Sequence, residues 1–163
     1  MKKMLSKLRE KRAKDDRGFT LIELLVVVVI IGVLIAIAIP LYLNYRKGAN
    51  DAAAESDMHN AINSLELCNA DKKHYPYVAN NADLTNPSQT VGDCSQSIAL
   101  SSGTSMRYIM GSNPAQGDSY TIVSTNSSGS GKFYCYNSAR GGGVATVNAP
   151  SNGSVTGASQ GIC

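Results

Sequence analysis

The longest apolar stretch of the chain constrains its structure more than any other feature. Residues Leu24–Leu43 include no Asp, Glu, Lys, Arg or His. A helix needs about 20 apolar residues to cross the hydrocarbon core of a bilayer. Lipid offers no hydrogen-bond partners to the backbone, so a single spanning segment must be helical. The sequence therefore predicts a transmembrane helix within residues 19–45.

Charge is distributed unevenly on the two sides of this run. Residues 1–17 contain eight Lys or Arg and three acidic residues, so seven of the 15 basic and nine of the 12 acidic residues follow them. The net charge of +3 thus comes from the N-terminal segment. The remainder is slightly acidic, and its bulk charge gives no support for nucleic-acid binding. Basic residues favour the cytoplasmic side of a membrane, which predicts that residues 46–163 lie outside the cell.

One carboxylate, Glu23, lies at the start of the apolar run. A charged side chain at mid-depth in the hydrocarbon costs roughly 2.5–3.5 kcal/mol, and less near the interface. A simple membrane anchor has no use for such a group, so we expect Glu23 to have a partner. The alternative is an interfacial glutamate that stays protonated or reaches the headgroups.

The residues around Glu23 form a specific pattern. Residues 18–25 read GFTLIELL, and Gly32 and Pro40 interrupt the apolar run that follows. The combination resembles the class III signal of type IV pilins and of the related pseudopilins of type II secretion. The resemblance is close over about residues 17–53. It implies that a prepilin peptidase cleaves between Gly18 and Phe19 and methylates the new amine of Phe19.

The resemblance also implies how such a chain assembles. Glu23 is expected to neutralise the Phe19 amine of a neighbouring subunit in a helical homopolymer. The helix is expected to loosen between Gly32 and Pro40 on assembly, whereas the residues alone predict a simple kink at Pro40. The implied partners are a prepilin peptidase, an assembly ATPase and a platform protein. The implied locations are the cytoplasmic membrane for the precursor and the cell surface for the filament.

A leader of residues 1–18 is longer than is usual for type IVa pilins, which leaves the subclass open. Residues 36–38, Ala-Ile-Ala, also match a signal-peptidase site. Cleavage there would release a soluble protein beginning at Ile39. Against this alternative, the apolar run is longer than a signal-peptide core and continues beyond the site.

Residues 46–163 are predicted to form a globular head. Ala54, Met58, Ala61 or Ile62, and Leu65 follow helical spacing and make an apolar stripe, with the acidic residues 51, 55, 57 and 66 on other faces. One helix from Phe19 to about Cys68 is expected. Residues 68–104 are rich in turn signals and are predicted to form a loop. Four strands are expected near residues 106–110, 120–123, 132–136 and 144–147.

The fold class predicted is α+β, namely the pilin fold with a long N-terminal helix on an antiparallel sheet of about four strands. Four cysteines beyond the anchor suit an oxidising compartment. We favour the pairs Cys68–Cys94 and Cys135–Cys163, and the other two pairings remain open. Each bridge would contribute roughly 3–4 kcal/mol in the chain-entropy model.

The sequence contains no pattern of catalysis. Metalloprotease, nucleophile-elbow and P-loop motifs are absent, and the cysteine spacings do not suit zinc. The prediction is therefore a protein that is not an enzyme and has no cofactor or metal. The basic cluster at residues 72–75 is interpreted as a solvated loop. Glycosylation sequons begin at Asn126 and Asn152, but such matches are frequent by chance.

The function predicted is structural. The first choice is a major pilin that polymerises into a surface filament for adhesion, motility or DNA uptake. One alternative is a pseudopilin or minor pilin of a type II secretion or competence system. A second alternative is a monomeric binding domain, either anchored or secreted.

Overall fold

The computed structural model describes residues 18–78, 81–85, 88–111, 119–150 and 152–163. Apart from Gly18, the predicted leader lies outside the described residues. The chain forms two compact units, of which the first ends at Tyr42 and the second comprises Leu43–Cys163.

A single helix, α1, runs from Leu21 to Lys72 and contains Pro40. It starts slightly later and ends slightly later than predicted. At its C-terminal end, Lys73 has a φ of 66°, and its N–H donates to the carbonyl of Asn69 at 2.8 Å. A residue in the left-handed conformation commonly closes a helix in this way, because it satisfies a terminal carbonyl.

The second unit buries the apolar stripe of α1, as predicted. Ala54, Met58, Ala61 and Leu65 are at most 1% exposed, whereas Ile62 is only partly buried. Their partners lie on the inner face of the sheet. These are Leu84, Met106, Tyr108, Ile122 and Tyr134.

The main sheet has five antiparallel strands in the order β1-β4-β5-β6-β7. In register, Tyr108 lies opposite Ile122, and Val123 lies opposite Cys135. The α+β class is thus confirmed. Strands β2 and β3 form a separate pair. The strand bounds are β1 Ala82–Thr85, β2 Ser88–Thr90, β3 Ser97–Ala99, β4 Thr104–Met110, β5 Tyr120–Asn126, β6 Phe133–Asn137 and β7 Ala145–Val147.

The prediction of a loop over residues 68–104 is wrong in part, because β1, β2 and β3 lie within it. Strand β1 pairs with β4 and adds a fifth strand to the four that were predicted. Its sequence, ADLT, contains residues that are depleted in strands, and only Leu84 is buried. Tertiary pairing along the edge of β4 therefore forms this strand, rather than local preference.

The C-terminal segment covers the outer face of the sheet. Val155 and Ala158 are buried against Ile109, Val123 and Phe133. The guanidinium of Arg107 on β4 donates to the carbonyl of Thr156 and lies 3.3 Å from the carboxylate of Asp83. Within the second unit, the sheet therefore lies between the C-terminal part of α1 on one face and the segment around Val155 and Ala158 on the other.

Two disulfides cross-link the second unit. Cys68 near the end of α1 is bonded to Cys94, and Cys135 on β6 is bonded to Cys163. The first closes 26 residues and the second 28 residues. The second bridge holds the chain that follows β7 to the outer face of the sheet.

Asp51 and Asp57, predicted to lie on other faces of the helix than the apolar stripe, are nevertheless only 4% and 5% exposed. Asp57 accepts hydrogen bonds from the N–H of Ser101 at 2.7 Å and from its hydroxyl at 3.0 Å. Asp51 accepts from the N–H of Ser130 at 2.9 Å and from its hydroxyl. Buried backbone donors need acceptors, so these carboxylates hold the β3–β4 and β5–β6 connections against the helix.

A second polar contact joins α1 to the sheet through tyrosines. The hydroxyls of Tyr75 and Tyr120 both donate to the carboxylate of Glu66, at 3.1 and 3.0 Å. Their rings meet edge to face at 4.7 Å. Burial and then the hydrogen bond to Glu66 raise the pKa of Tyr75 to about 12. Burial, followed by the charge of Glu66, also raises the pKa of Tyr120.

These pKa shifts predict a loss of stability at alkaline pH. An unfolded tyrosine has a pKa of about 10, so the folded chain holds the phenol proton more tightly. The stabilising contribution is complete below about pH 10 and is lost as pH rises through about 12. Urea unfolding of the chain in detergent micelles at a series of pH values measures this decline.

The matched variants are Glu66→Gln and Asp71→Asn. The first removes the carboxylate that accepts from both tyrosines and should lower the midpoint of tyrosinate absorbance. The second changes an exposed acidic residue of the same helix and should leave that midpoint unchanged. Identical titrations of all three chains would contradict the role assigned to Glu66.

Candidate assembly site

The residues before α1 are accessible. Gly18, Phe19 and Thr20 are exposed, and Phe19 is 88% exposed. A Cβ atom added at Gly18 would meet no other atom within 4 Å. Within the part of the chain that the structure describes, the peptide bond between Gly18 and Phe19 is therefore open to a protease.

Glu23 and Thr20 form a capping box at the start of α1. The N–H and the hydroxyl of Thr20 both donate to Oε2 of Glu23 at 2.8 Å. In return, the N–H of Glu23 donates to the hydroxyl of Thr20 at 3.3 Å. This reciprocal arrangement satisfies donors that the first turn of a helix leaves without intrahelical partners.

The charge of Glu23 is not neutralised within the described residues. Both hydrogen bonds from Thr20 reach Oε2. Glu23 forms no ion pair with any of the residues that the structure describes. The carboxylate therefore retains an oxygen that is able to accept a hydrogen bond from an ammonium group. Such a charge-assisted bond is about twice as strong as a neutral one.

The apolar run presents its side chains outward. The large apolar residues between Leu24 and Leu43 are 48–70% exposed. By length and composition α1 is able to cross a membrane. No residue of its most apolar stretch is buried within the described structure. This surface needs a cover, either of lipid or of other helices.

Gly32 and Pro40 both lie inside the continuous helix α1. A Cβ at Gly32 would meet no atom within 4 Å, so packing inside the described chain does not require a glycine there. The helical assignment is unbroken between the two residues. The loosening expected on assembly thus remains a prediction about the polymer.

The structure also shows the surroundings of the histidines and of the two sequon asparagines. His59 is exposed, and His74 lies 3.6 Å from Asp93. Asn126 is buried and its amide donates to Ser102 and Thr104, so the first sequon is closed to modification in the folded chain. Asn152 is exposed. Among the described residues, no group of three or more His, Cys, Asp or Glu could hold a metal ion.

Comparison with known proteins adds independent information about the N-terminal region. The profile of the prokaryotic N-terminal methylation motif matches residues 13–39. This match includes the Gly18–Phe19 junction and the capping box. Over this N-terminal region the chain is similar to type IV pilins and to pseudopilins of type II secretion.

The relatives include type II secretion proteins and type IV pilus proteins. The chain is 42% identical over 66 residues to type II secretion system core protein G of Escherichia coli, covering 40% of this chain and 46% of that protein. It is 40% identical over 62 residues to the type IV wide pilus major component PilA4 of Thermus thermophilus, covering 38% and 47%.

A third relative is the type IV major fimbrial protein FimA of Dichelobacter nodosus, which is 46% identical over 58 residues, covering 36% of this chain and 37% of that protein. The matched region thus spans less than half the length of each of these three relatives. No solved structure matches the chain.

The contribution of Thr20 was missed in the sequence analysis. A Thr followed three residues later by Glu, directly before an apolar run, is a capping-box signature, and residues 20–23 contain it. Glu23 is thus held by Thr20 within its own helix.

Replacing Thr20 tests the capping box. Loss of an N-cap side chain costs about 1 kcal/mol, so Thr20→Ala should speed hydrogen exchange of the Glu23 amide about fivefold. Thr20→Ser keeps the hydroxyl and should exchange at close to the original rate. NMR of the chain in detergent micelles measures both. Equal protection of Glu23 in the Ala variant would refute the box.

Proposed function

We propose that this chain is the precursor of a filament subunit, processed between Gly18 and Phe19 and polymerised through residues 19–45. One observation carries the proposal above the others. Glu23 is a carboxylate in the first turn of an outward-facing apolar helix, and no cation among the described residues pairs with it. A neighbouring Phe19 amine supplies the missing charge.

The electrostatics of the filament interior support this pairing. Burying one ion without a partner costs several kcal/mol, and a well-placed opposite charge offsets much of that cost. Processing creates an amine close in sequence to Glu23, and methylation keeps it cationic. Only one offset between two subunits brings amine and carboxylate together, so the pair sets the register of the polymer.

Apolar packing supplies the remainder of the interface. The large side chains of Leu24–Leu43 are about half exposed or more, so neighbouring helices are able to replace lipid around each helix. The open space at Gly32 allows a second helix to approach closely, as small residues do in membrane helix pairs. We place helix loosening on assembly between Gly32 and Pro40.

A major pilin of a surface filament is our first choice, with adhesion, motility or DNA uptake as its uses. A pseudopilin of a type II secretion system is the second, because the relatives include proteins of both kinds. Abundance separates them, since a major subunit dominates protein sheared from the cell surface. Either choice needs a prepilin peptidase, an assembly ATPase and a platform protein. The precursor resides in the cytoplasmic membrane.

Intact mass of the sheared protein tests processing. We expect a chain that begins at methylated Phe19, with a mass that rises by about four protons on reduction because both disulfides open. A chain beginning at Ile39 would replace the filament proposal with a secreted soluble domain. An uncleaved chain confined to membranes would indicate a plain anchor.

Replacing Glu23 tests assembly itself. Glu23→Ala should abolish sheared filaments while membrane insertion and cleavage persist, because the apolar run and the Gly18–Phe19 junction are unchanged. Glu55→Ala is the control, since Glu55 is an exposed carboxylate of the same helix. Filaments of normal abundance from the Glu23 variant would favour a monomeric anchored domain.

A further inference from the structure

A basic pair follows the apolar run and forms no ion pair with the residues that the structure describes. Tyr45, Arg46 and Lys47 begin two residues beyond Leu43 and are all exposed, Tyr45 by 80%. No ion pair of the described residues includes Arg46 or Lys47. Two adjacent cations without a counter-charge among the described residues call for an anion from elsewhere.

The helix itself cannot supply that anion. One turn after Arg46 and Lys47 stand Asn50 and Asp51, the positions that would pair with them along a helix. The amide of Asn50 donates to the carbonyl of Ser128 at 2.9 Å. Asp51 is 4% exposed and accepts from the β5–β6 turn.

Asp51 also has a cation of its own, because the ammonium of Lys132 lies 4.0 Å from its carboxylate. The head therefore uses the one acidic group that lies an i,i+4 step from Lys47. Within the described part of the chain, the positive charge of Arg46 and Lys47 is therefore left without a counter-charge.

We propose that Tyr45, Arg46 and Lys47 form a headgroup girdle that binds the phosphates of anionic phospholipids at the outer membrane surface of the precursor. The proposal rests on the membrane-inserted state described under the proposed function. The 20 apolar residues before the girdle span about 30 Å as a helix, which matches the hydrocarbon thickness. The girdle then lies at the depth of the headgroups.

The chemistry of the three side chains suits that location. The planar guanidinium of Arg binds phosphate oxygens in bidentate fashion, and Lys adds a point charge. Tyrosine concentrates at membrane–water interfaces, where its ring lies among the headgroups and its hydroxyl meets water. Anionic lipid would therefore hold the precursor in the membrane until assembly extracts it.

The absence of tryptophan makes a direct test possible. The chain has eight tyrosines, of which only Tyr42 lies within the apolar run and only Tyr45 lies directly beyond it. The full-length protein is inserted into mixed vesicles of phosphatidylcholine and phosphatidylglycerol, with either one brominated at the same mole fraction. Brominated lipid quenches tyrosine emission on contact, so relative quenching measures which lipid surrounds the girdle.

We expect stronger quenching by phosphatidylglycerol, weakened by added salt because screening shortens the range of the attraction. The double variant Arg46→Gln with Lys47→Gln should lose the preference, by about fivefold for each residue. Lys72→Gln with Lys73→Gln is the control, because these exposed lysines lie at the far end of α1. This variant should keep the preference.

Equal quenching by both lipids in the unmodified protein would overturn the girdle and leave the membrane anchor standing. A preference that survives the Arg46 and Lys47 double variant would also overturn it. If that variant loses filaments while the unmodified protein shows no lipid preference, the pair binds a carboxylate of another copy. Lack of quenching by either lipid would refute the girdle together with the anchor.

Discussion

A carboxylate cannot stay unpaired and charged in hydrocarbon at low cost, and the N-terminal region is arranged around that constraint. Thr20 gives Glu23 a local set of hydrogen bonds, which lowers the cost without removing the charge. An incoming amine has to replace only part of this set, since one oxygen of Glu23 is left open among the described residues. The capping box and the proposed intersubunit pair are therefore compatible.

In the second unit, polar contacts hold connections that a larger domain would hold by burying more apolar surface. Asp51, Asp57 and Glu66 project from one helix, and each accepts hydrogen bonds from a different segment that follows it in the chain. Charge-assisted bonds of this kind contribute roughly 1.5–3 kcal/mol each. Together with two disulfides, they fix connections that the small core reaches only in part. The helix thus supports the sheet through both its apolar stripe and its acids.

The long helix and the central strands were predictable because their signals are local. The stripe from Ala54 to Leu65 has helical spacing, and β4, β5 and β6 are rich in β-branched or aromatic residues. Strand β1 was missed because its four residues form a strand only through pairing with β4. The burial of Asp57 was missed because its partner, Ser101, lies 44 residues away. At the assembly site, pattern recognition found Glu23, and only the geometry revealed Thr20.

Some residues of the chain are explained by contacts within the fold, and others are not. The glycines show this difference. Gly92 has a φ of +56°, and a Cβ there would lie 2.5 Å from the carbonyl oxygen of Tyr77, so the fold of the head explains this glycine. Among the described residues, no atom lies near enough to Gly32 to explain that glycine. Within the same residues, Glu23, Arg46 and Lys47 form no ion pair. Residues that the folded chain leaves unexplained need a physical reason outside it, and lipid and a second subunit supply reasons of the required kinds.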